Sequence, residues 1–304
     1  MFIKRFLFKS RFKNLKGDNM ITLFTDTSAN LTKNIMDEYN IKVIPFGYSV
    51  NGEEISYKDT VDFDGKKFYD AMRGGADVKT SMINISLISE SLEEELNQGN
   101  DVIYITMSGG ISGTAHSAKL AAEELREEYK ERKIAVINSL AASLGEGLQV
   151  IRAAKYLKAG ASFEEVVNYC EDMKNKICQY FTVDDLEYLK RGGRISHLAS
   201  AVGTVLKIKP VLRGDEDGKI VMCAKIRGRK NALSSLADYY EKLCEDKSSD
   251  IGIAHADDES DASHLLEILK ERGFKGNCLT VCYEPVTGAH VGPGTVALFF
   301  FKNM

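Results

Sequence analysis

The sequence predicts an α/β protein of two α/β domains, the first with a largely parallel sheet, and three observations carry that reading. The chain has 304 residues, long for one hydrophobic core, and 44% of them are hydrophobic, enough to fill two. Short apolar runs of strand length alternate with helix-forming segments rich in Ala, Glu and Lys. The last such run, residues 295–301, is apolar throughout, which suits a central strand covered on both faces.

In chain order, residues 1–19 stand apart. Lys4, Arg5, Lys9, Arg11, Lys13 and Lys16 mix with Phe2, Phe6, Leu7 and Phe8, and the apolar part is too short for a secretory core. We read a disordered basic extension with Met20 as the functional start. Residues 20–160 form the first domain. A strand at 21–25 runs into Asp26-Thr27-Ser28-Ala29-Asn30-Leu31, small polar residues that start a helix at 32–39. A strand at 42–50 is broken by Pro45, and 51–64 reads as a polar loop with Tyr57 and Asp59. A helix at 65–73, a loop at 78–86 and a Glu-rich helix at 87–97 follow. The buried strand 102–107, the helix 115–133, the strand 134–138 and the helix 144–158 complete the series. A parallel sheet binds ligands beyond the carboxyl ends of its strands, so Asp26 to Ser28, Thr80-Ser81 and Ser108 to Thr114 are expected to share one edge.

The second domain, residues 161–304, opens on the capping-box pair Ser162 and Glu165 ahead of a helix at 163–176. A strand at 177–183, a short helix at 184–191, the turn Gly192-Gly193 and a helix at 198–206 lead to Pro210. Strands at 211–213 and 219–227 flank the hairpin-like turn Gly214-Asp215-Glu216-Asp217-Gly218. A helix at 230–245, a strand at 250–255, a helix at 261–272 and a strand at 277–283 precede the terminal strand, and residues 286–294 read as a loop.

The stretch from Ser108 to Ser117 is the most suggestive of a site. Its glycines let the backbone approach a ligand, and Ser112 or Thr114 can cap the next helix while free N–H groups face outward, which makes a socket for a small anion; a capped helix start with no ligand is the plainer reading. His290 lies between Gly288 and Gly292, which leave its ring free to point into a cleft, although a turn residue is the simpler assignment. Lys190-Arg191-Gly192-Gly193-Arg194 fits a helix C-terminus, and equally a pair, Arg191 and Arg194, that grips a phosphate or an acidic partner.

Other chemistries find little to stand on. Ser112 with a His290 base would make a serine hydrolase, but no G-x-S-x-G elbow is present. No Walker lysine or G-x-G-x-x-G follows the glycines, so no nucleotide cofactor is implied. Asp215, Glu216 and Asp217 are adjacent turn carboxylates rather than a metal cage, and the histidines lack ligand spacing. A net charge of −4 argues against nucleic acid, and no apolar run has transmembrane length. Six cysteines without a C-x-x-C pair imply reduced thiols and hence cytoplasm.

From Met20 onward a set of motifs falls in a recognisable order: Thr25-Asp26-Thr27-Ser28 with Leu31, Val43-Ile44-Pro45, Thr80-Ser81, Ser112-Gly113-Thr114 with Ser117-Ala118, Leu186-Glu187-Tyr188-Leu189 with Gly192-Gly193-Arg194-Ile195, Lys209-Pro210, and His290-Val291-Gly292-Pro293-Gly294. The chain resembles the DegV family, the fatty-acid-binding subunits of bacterial fatty acid kinase. The resemblance implies two α/β domains with a ligand cleft between them and a long-chain fatty acid in it. Its carboxylate is then held by Thr80, Ser112 and His290, with Ser81 and Gly113 nearby. It also implies a non-catalytic carrier without cofactor, partnered by an ATP-dependent fatty acid kinase subunit that makes the acyl phosphate. Arg191 and Arg194 stand beside a Gly-Gly turn that can leave them exposed, and they are expected to serve that step, since an acyl phosphate carries more negative charge than the carboxylate it replaces. A hydrolase and a phosphate- or nucleotide-responsive regulator are the competing classes. One departure stands out: Met82-Ile83-Asn84 follows Thr80-Ser81 where the family usually has Gln-Pro.

Overall fold

A computed structural model describes residues 20–56, 63–195 and 208–302. The basic extension, Tyr57 and Asp59, and the helix expected at 198–206 lie outside the described residues.

The first sheet is parallel, as the alternation predicts. Strand β1 (Ile21–Asp26) ends in a 3-10 turn at Thr27–Ala29, and helix α1 (Lys33–Tyr39) leads into β2 (Lys42–Ile44). With β6 (Asp101–Thr106) and β7 (Ile134–Asn138) these strands give the order β2-β1-β6-β7. β6 is buried along its whole length, because helix α3 (Ile85–Leu96) and helix α4 (Thr114–Glu128) pack on it together with the later helix α5 (Leu144–Lys158).

Between β2 and α3 the structure departs from the expected strand and loops. Pro45 ends β2 rather than interrupting one long strand, and β3 (Gly47–Val50) belongs to a separate sheet with β4 (Glu53–Ser56) and β5 (Val78–Ser81), both antiparallel to it. The β3–β4 turn is Asn51-Gly52, with φ of 52° and 86°, the left-handed pair that a two-residue hairpin needs. That dipeptide is a strong hairpin signal, masked in the sequence by the polar residues around it. Helix α2 (Gly65–Arg73) starts at Asp64, whose carboxylate accepts from Lys67 N. Thr80 therefore sits on a strand, paired with Tyr48, and not in a loop.

The second sheet is mixed, in the order β10-β9-β8-β13-β11-β12. Helix α6 (Phe163–Met173) opens this half with the expected capping box, Ser162 N donating to Glu165 Oε2 at 2.8 Å. Strand β8 (Ile177–Thr182), helix α7 (Glu187–Arg191) and the antiparallel pair β9 (Ile208–Gly214) and β10 (Ile220–Arg227) follow. β9 includes Pro210, which lies beyond its last pairing with β8 at Val211, where a missing N–H costs no ladder bond on that side. Helix α8 (Arg229–Leu243), β11 (Ile251–His255), helix α9 (Glu259–Glu271), β12 (Cys278–Cys282), helix α10 (Pro285–Val291) and β13 (Val296–Phe301) complete the chain. β13 lies between β8 and β11 and is buried throughout, the central place its apolar run requires.

Residues 285–291 form a helix, which corrects the expected loop at 286–294. Glu284 is its N-cap, accepting from Val286 N and Thr287 N at 2.6 Å each, Pro285 takes the first turn, and Gly292 (φ 79°) ends it. The Glu-Pro start and Gly stop are helix punctuation, but an internal glycine, Gly288, and a threonine lower the intrinsic propensity. Helix α5 packs between the sheets, against β1 and β6 on one side and β8, β11 and β13 on the other. Glycines permit that approach: a Cβ on Gly147 would lie 2.4 Å from Ala29 O, and one on Gly145 would lie 2.9 Å from Gln179 Oε1. Among the described residues, no helix is long and apolar enough to cross a membrane.

Candidate functional site

Between the two α/β halves lies a cavity of about 790 Å³ including its open mouth. Most of its wall is apolar: Phe46, Met107, Ile111, Phe181, Leu189 and Phe299, with Tyr283, Val286 and Val291 beside them. Thr80, Ser81, Ser112, Arg194 and His290 also line it, so five of the seven positions singled out from the sequence come together here.

The centre of the polar wall is a contact between the halves. Thr80 Oγ1 and His290 Nε2 lie 2.8 Å apart, joining β5 to α10 across 210 residues of chain. Burial, followed by the nearby Arg194 charge, pushes the His290 imidazole down to about 4, so it is neutral at pH 7. The ring is held from behind by Gly192, where a Cβ would come within 2.2 Å of Nδ1. Gly192 has an ordinary helical φ of −68°, so its lack of a side chain matters here for space.

Ser112 sits on the neighbouring turn. Its hydroxyl donates to Thr114 Oγ1 at 3.1 Å and accepts from Thr114 N at 3.2 Å, and Thr114 Oγ1 in turn accepts from Ile83 N at 3.2 Å. This chain of bonds ties the turn to the segment after Thr80. Met82 crosses over Gly113, where a Cβ would lie 2.5 Å from its sulfur, and is 56% exposed at the mouth. Gly113 itself lines the adjoining outer cleft rather than the cavity. Ser81 is exposed and donates to Gly47 O at 3.3 Å.

The arginine pair separates. Arg191 is exposed, with its guanidinium 4.8 Å from the Tyr188 ring centre. Arg194 is half-buried, donating from Nε to Ile111 O at 3.1 Å and from Nη1 to Gly192 O. The expectation that the Gly-Gly turn leaves both exposed is thus corrected for Arg194, whose burial also pulls its guanidinium below the usual range. Both arginines, with Lys79, line a second cleft on the outer side of the Thr80–His290 contact.

The turn Asp26 to Ser28 is also placed differently from expectation. Among the described residues it is buried and does not line this cavity. Asp26 Oδ2 accepts from Met107 N at 3.0 Å, and its Oδ1 accepts from Ser28 N at 2.9 Å. The Ser28 hydroxyl lies between Asp26 Oδ1 and Glu146 Oε2, at 2.5 and 2.8 Å, while Thr25 Oγ1 donates to Glu146 Oε1 at 2.8 Å. One hydroxyl proton cannot serve two carboxylates, so one carboxyl keeps its own. Burial raises all three acids of this region: Asp26 is pushed up to about 6, Glu284 to about 7, and Glu146 well above the ordinary range, with Asp26 adding to the last. Asn30 joins the cluster to the second half: its Oδ1 accepts from Ser143 Oγ and Glu284 N, and its Nδ2 donates to Cys282 O.

Ser112 and His290 do not form a nucleophile–base pair: the Ser112 hydroxyl is committed to Thr114, and His290 Nε2 faces Thr80. Among the described residues no three acidic, Cys or His side chains are grouped to hold a metal ion.

Comparison with known proteins agrees with this geometry. A family model described as an uncharacterised protein of the DegV family matches residues 20–303. A DegV domain-containing protein of Clostridium perfringens is 38% identical over 284 residues, covering 92% of this chain and 97% of that protein. Among solved structures, a fatty-acid-binding DegV family protein of Thermus thermophilus superposes with a TM-score of 0.84 at 28% identity, covering 93% of this chain and all of that one. Bacillus subtilis DegV, a fatty acid binding protein, gives 0.80 at 30% identity over 94% of this chain and all of that one.

Proposed function

The chain belongs to the DegV family, and on that premise we propose that it binds a long-chain fatty acid and presents the carboxylate to a separate ATP-dependent kinase subunit. The observation that carries the reading is the Thr80–His290 contact on the wall of an otherwise apolar cavity. A buried carboxylate needs donors, because leaving one unpaired is costly; a Thr80 hydroxyl that accepts from the neutral His290 Nε2–H keeps its own proton to donate, and the Ser112 hydroxyl is a second donor of that kind. The acyl chain needs only apolar walls, at roughly 0.8 kcal/mol per buried CH₂. The volume suits one lipid chain. Organic extraction and mass spectrometry of the purified protein test the reading. A long-chain fatty acid is expected in the extract or on titration, and failure to recover or bind any would end it.

The kinase step draws support from the outer cleft, where Lys79, Arg191 and Arg194 lie on the far side of the Thr80–His290 pair. An acyl phosphate carries more negative charge than a carboxylate, and cations there favour it. Arg191→Glu is expected to leave fatty-acid affinity within about twofold, since an exposed charge contributes little across a screened distance. The same change should cut acyl-phosphate formation in an assay reconstituted with the kinase subunit. Arg194→Glu, being half-buried beside His290, should lower both. Unaltered kinase-coupled turnover in Arg191→Glu would reduce that residue to a helix-terminal cation.

A further inference from the structure

We propose that Gln179 is the stop that sets acyl-chain length, closing the cavity against a second cleft; this deepens the fatty-acid reading and rests on it. Gln179 and Gly214 form a wall common to two spaces: the apolar cavity on one side, and a polar cleft of about 1140 Å³ lined by Lys174, Tyr180, Arg213 and Lys302 on the other. The donors that favour a carboxylate lie elsewhere. Thr80, His290 and Arg194 border the outer cleft near Arg191, and Ser112 borders the one at the Gly109–Gly113 turn. The Gln179 wall is therefore where the methyl end of a chain would arrive.

The side chain is built into that wall. Its Oε1 accepts from Ala142 N at 3.2 Å and its Nε2 donates to Leu140 O at 2.9 Å, so the amide bridges two backbone groups of the loop that leads into α5. Leu140 and Ser143 in this loop have φ of 56° and 50°, uncommon for side-chain-bearing residues, and the amide clamps the loop in that shape. Two glycines make the slot. A Cβ on Gly214 would lie 2.6 Å from Gln179 Nε2, and one on Gly145 would lie 2.9 Å from its Oε1. A polar residue pointing from the middle of β8 beside Phe299 and Phe181 is out of place for lining an acyl chain, but it suits a partition with an apolar space on one side and a wet one on the other.

The test is the affinity of the full chain for saturated fatty acids of increasing length, with the parent, Gln179→Ala, Gln179→Asn and Gln179→Met compared. Up to the stop, each methylene should tighten binding roughly fourfold, the equivalent of ~0.8 kcal/mol per buried CH₂; beyond it, binding should weaken. Gln179→Ala is expected to move the optimum about two to four carbons longer, the space freed by truncating a side chain of this size. Gln179→Asn should move it by about one, and Gln179→Met, of similar volume, should leave it in place. Should Gln179→Ala not fold, the Asn and Met pair decides the question. An optimum unmoved in Gln179→Ala, or in Gln179→Asn, overturns the stop. A parent that binds no member of the series overturns the lipid reading itself, so the two failures are distinct.

Discussion

Fatty-acid affinity should fall by roughly ten- to a hundredfold in His290→Ala and in Thr80→Ala, the ~1.5–3 kcal/mol attached to one hydrogen bond to a charged group. The two residues meet at 2.8 Å from opposite halves of the molecule, so losing Thr80 removes a donor and losing His290 removes the N–H that orients that donor. Ser112→Ala should cost about tenfold, the low end of the same range, because its hydroxyl is already engaged with Thr114 and must turn to reach a ligand. Gly192→Ala tests positioning without touching a donor. The added methyl would fall on the imidazole, and the variant should bind as poorly as His290→Ala while remaining folded. Titration with a fluorescent or radiolabelled fatty acid measures all four. Parent-like affinity in both His290→Ala and Thr80→Ala would remove the carboxylate from this wall.

The second large effect is a stability that falls as pH rises. In the unfolded chain Asp26, Glu146 and Glu284 ionise near pH 4, whereas in the fold burial holds Asp26 up to about 6, Glu284 to about 7 and Glu146 well above its ordinary range. Between those limits the folded state binds more protons, so the stability present below pH 4 is lost progressively as pH climbs through the folded values. His290, lowered to about 4, and His255, also lowered by burial, act with the opposite sign, but only below about pH 6.5, where an unfolded histidine gains its proton. From pH 6.5 to 8 the carboxyls act unopposed. A loss of stability is expected there, read as a fall in Tm of the order of 2 °C or more.

Two isosteric variants separate the causes. In Glu146→Gln the amide oxygen still accepts from Thr25 and the amide N–H can donate to Ser28, whose own proton then goes to Asp26. This variant should be more stable than the parent at pH 8 and flatter with pH. In Asp26→Asn an N–H would face the Met107 N–H or the Ser28 donors, so it should be destabilised across the range. Thermal unfolding at several pH values checks both, and a Glu146→Gln protein that melts below the parent at pH 8 would contradict the shared proton.

Much of this site was legible in sequence because its residues sit in short motifs with a local physical meaning. Ser112-Gly113-Thr114 between an apolar run and a helix reads as a turn with hydroxyls and little bulk, and the structure uses it that way. Asp26-Thr27-Ser28 was equally visible, but its destination was not. Small polar residues after a strand suit a ligand edge or a buried cap alike, and only the arrival of Glu146 on α5 from the far side makes it a closed, proton-sharing cluster. Gln179 gave no signal at all, being one polar residue on a strand whose meaning comes from the glycines at 145 and 214.

The sequence by itself determined the α/β class, the parallel sense of the first sheet and the central place of residues 295–301. Each follows from periodicity, hydrophobicity or turn chemistry within a few residues of chain. Tertiary structure alone decided that His290 rides on a helix and that Gly192 backs it. It also turns Arg194 inward while Arg191 faces solvent, and it splits the 42–50 segment between two sheets. Those outcomes depend on distances between groups up to 210 residues apart in sequence, where close packing and the desolvation of buried polar atoms outweigh local propensity.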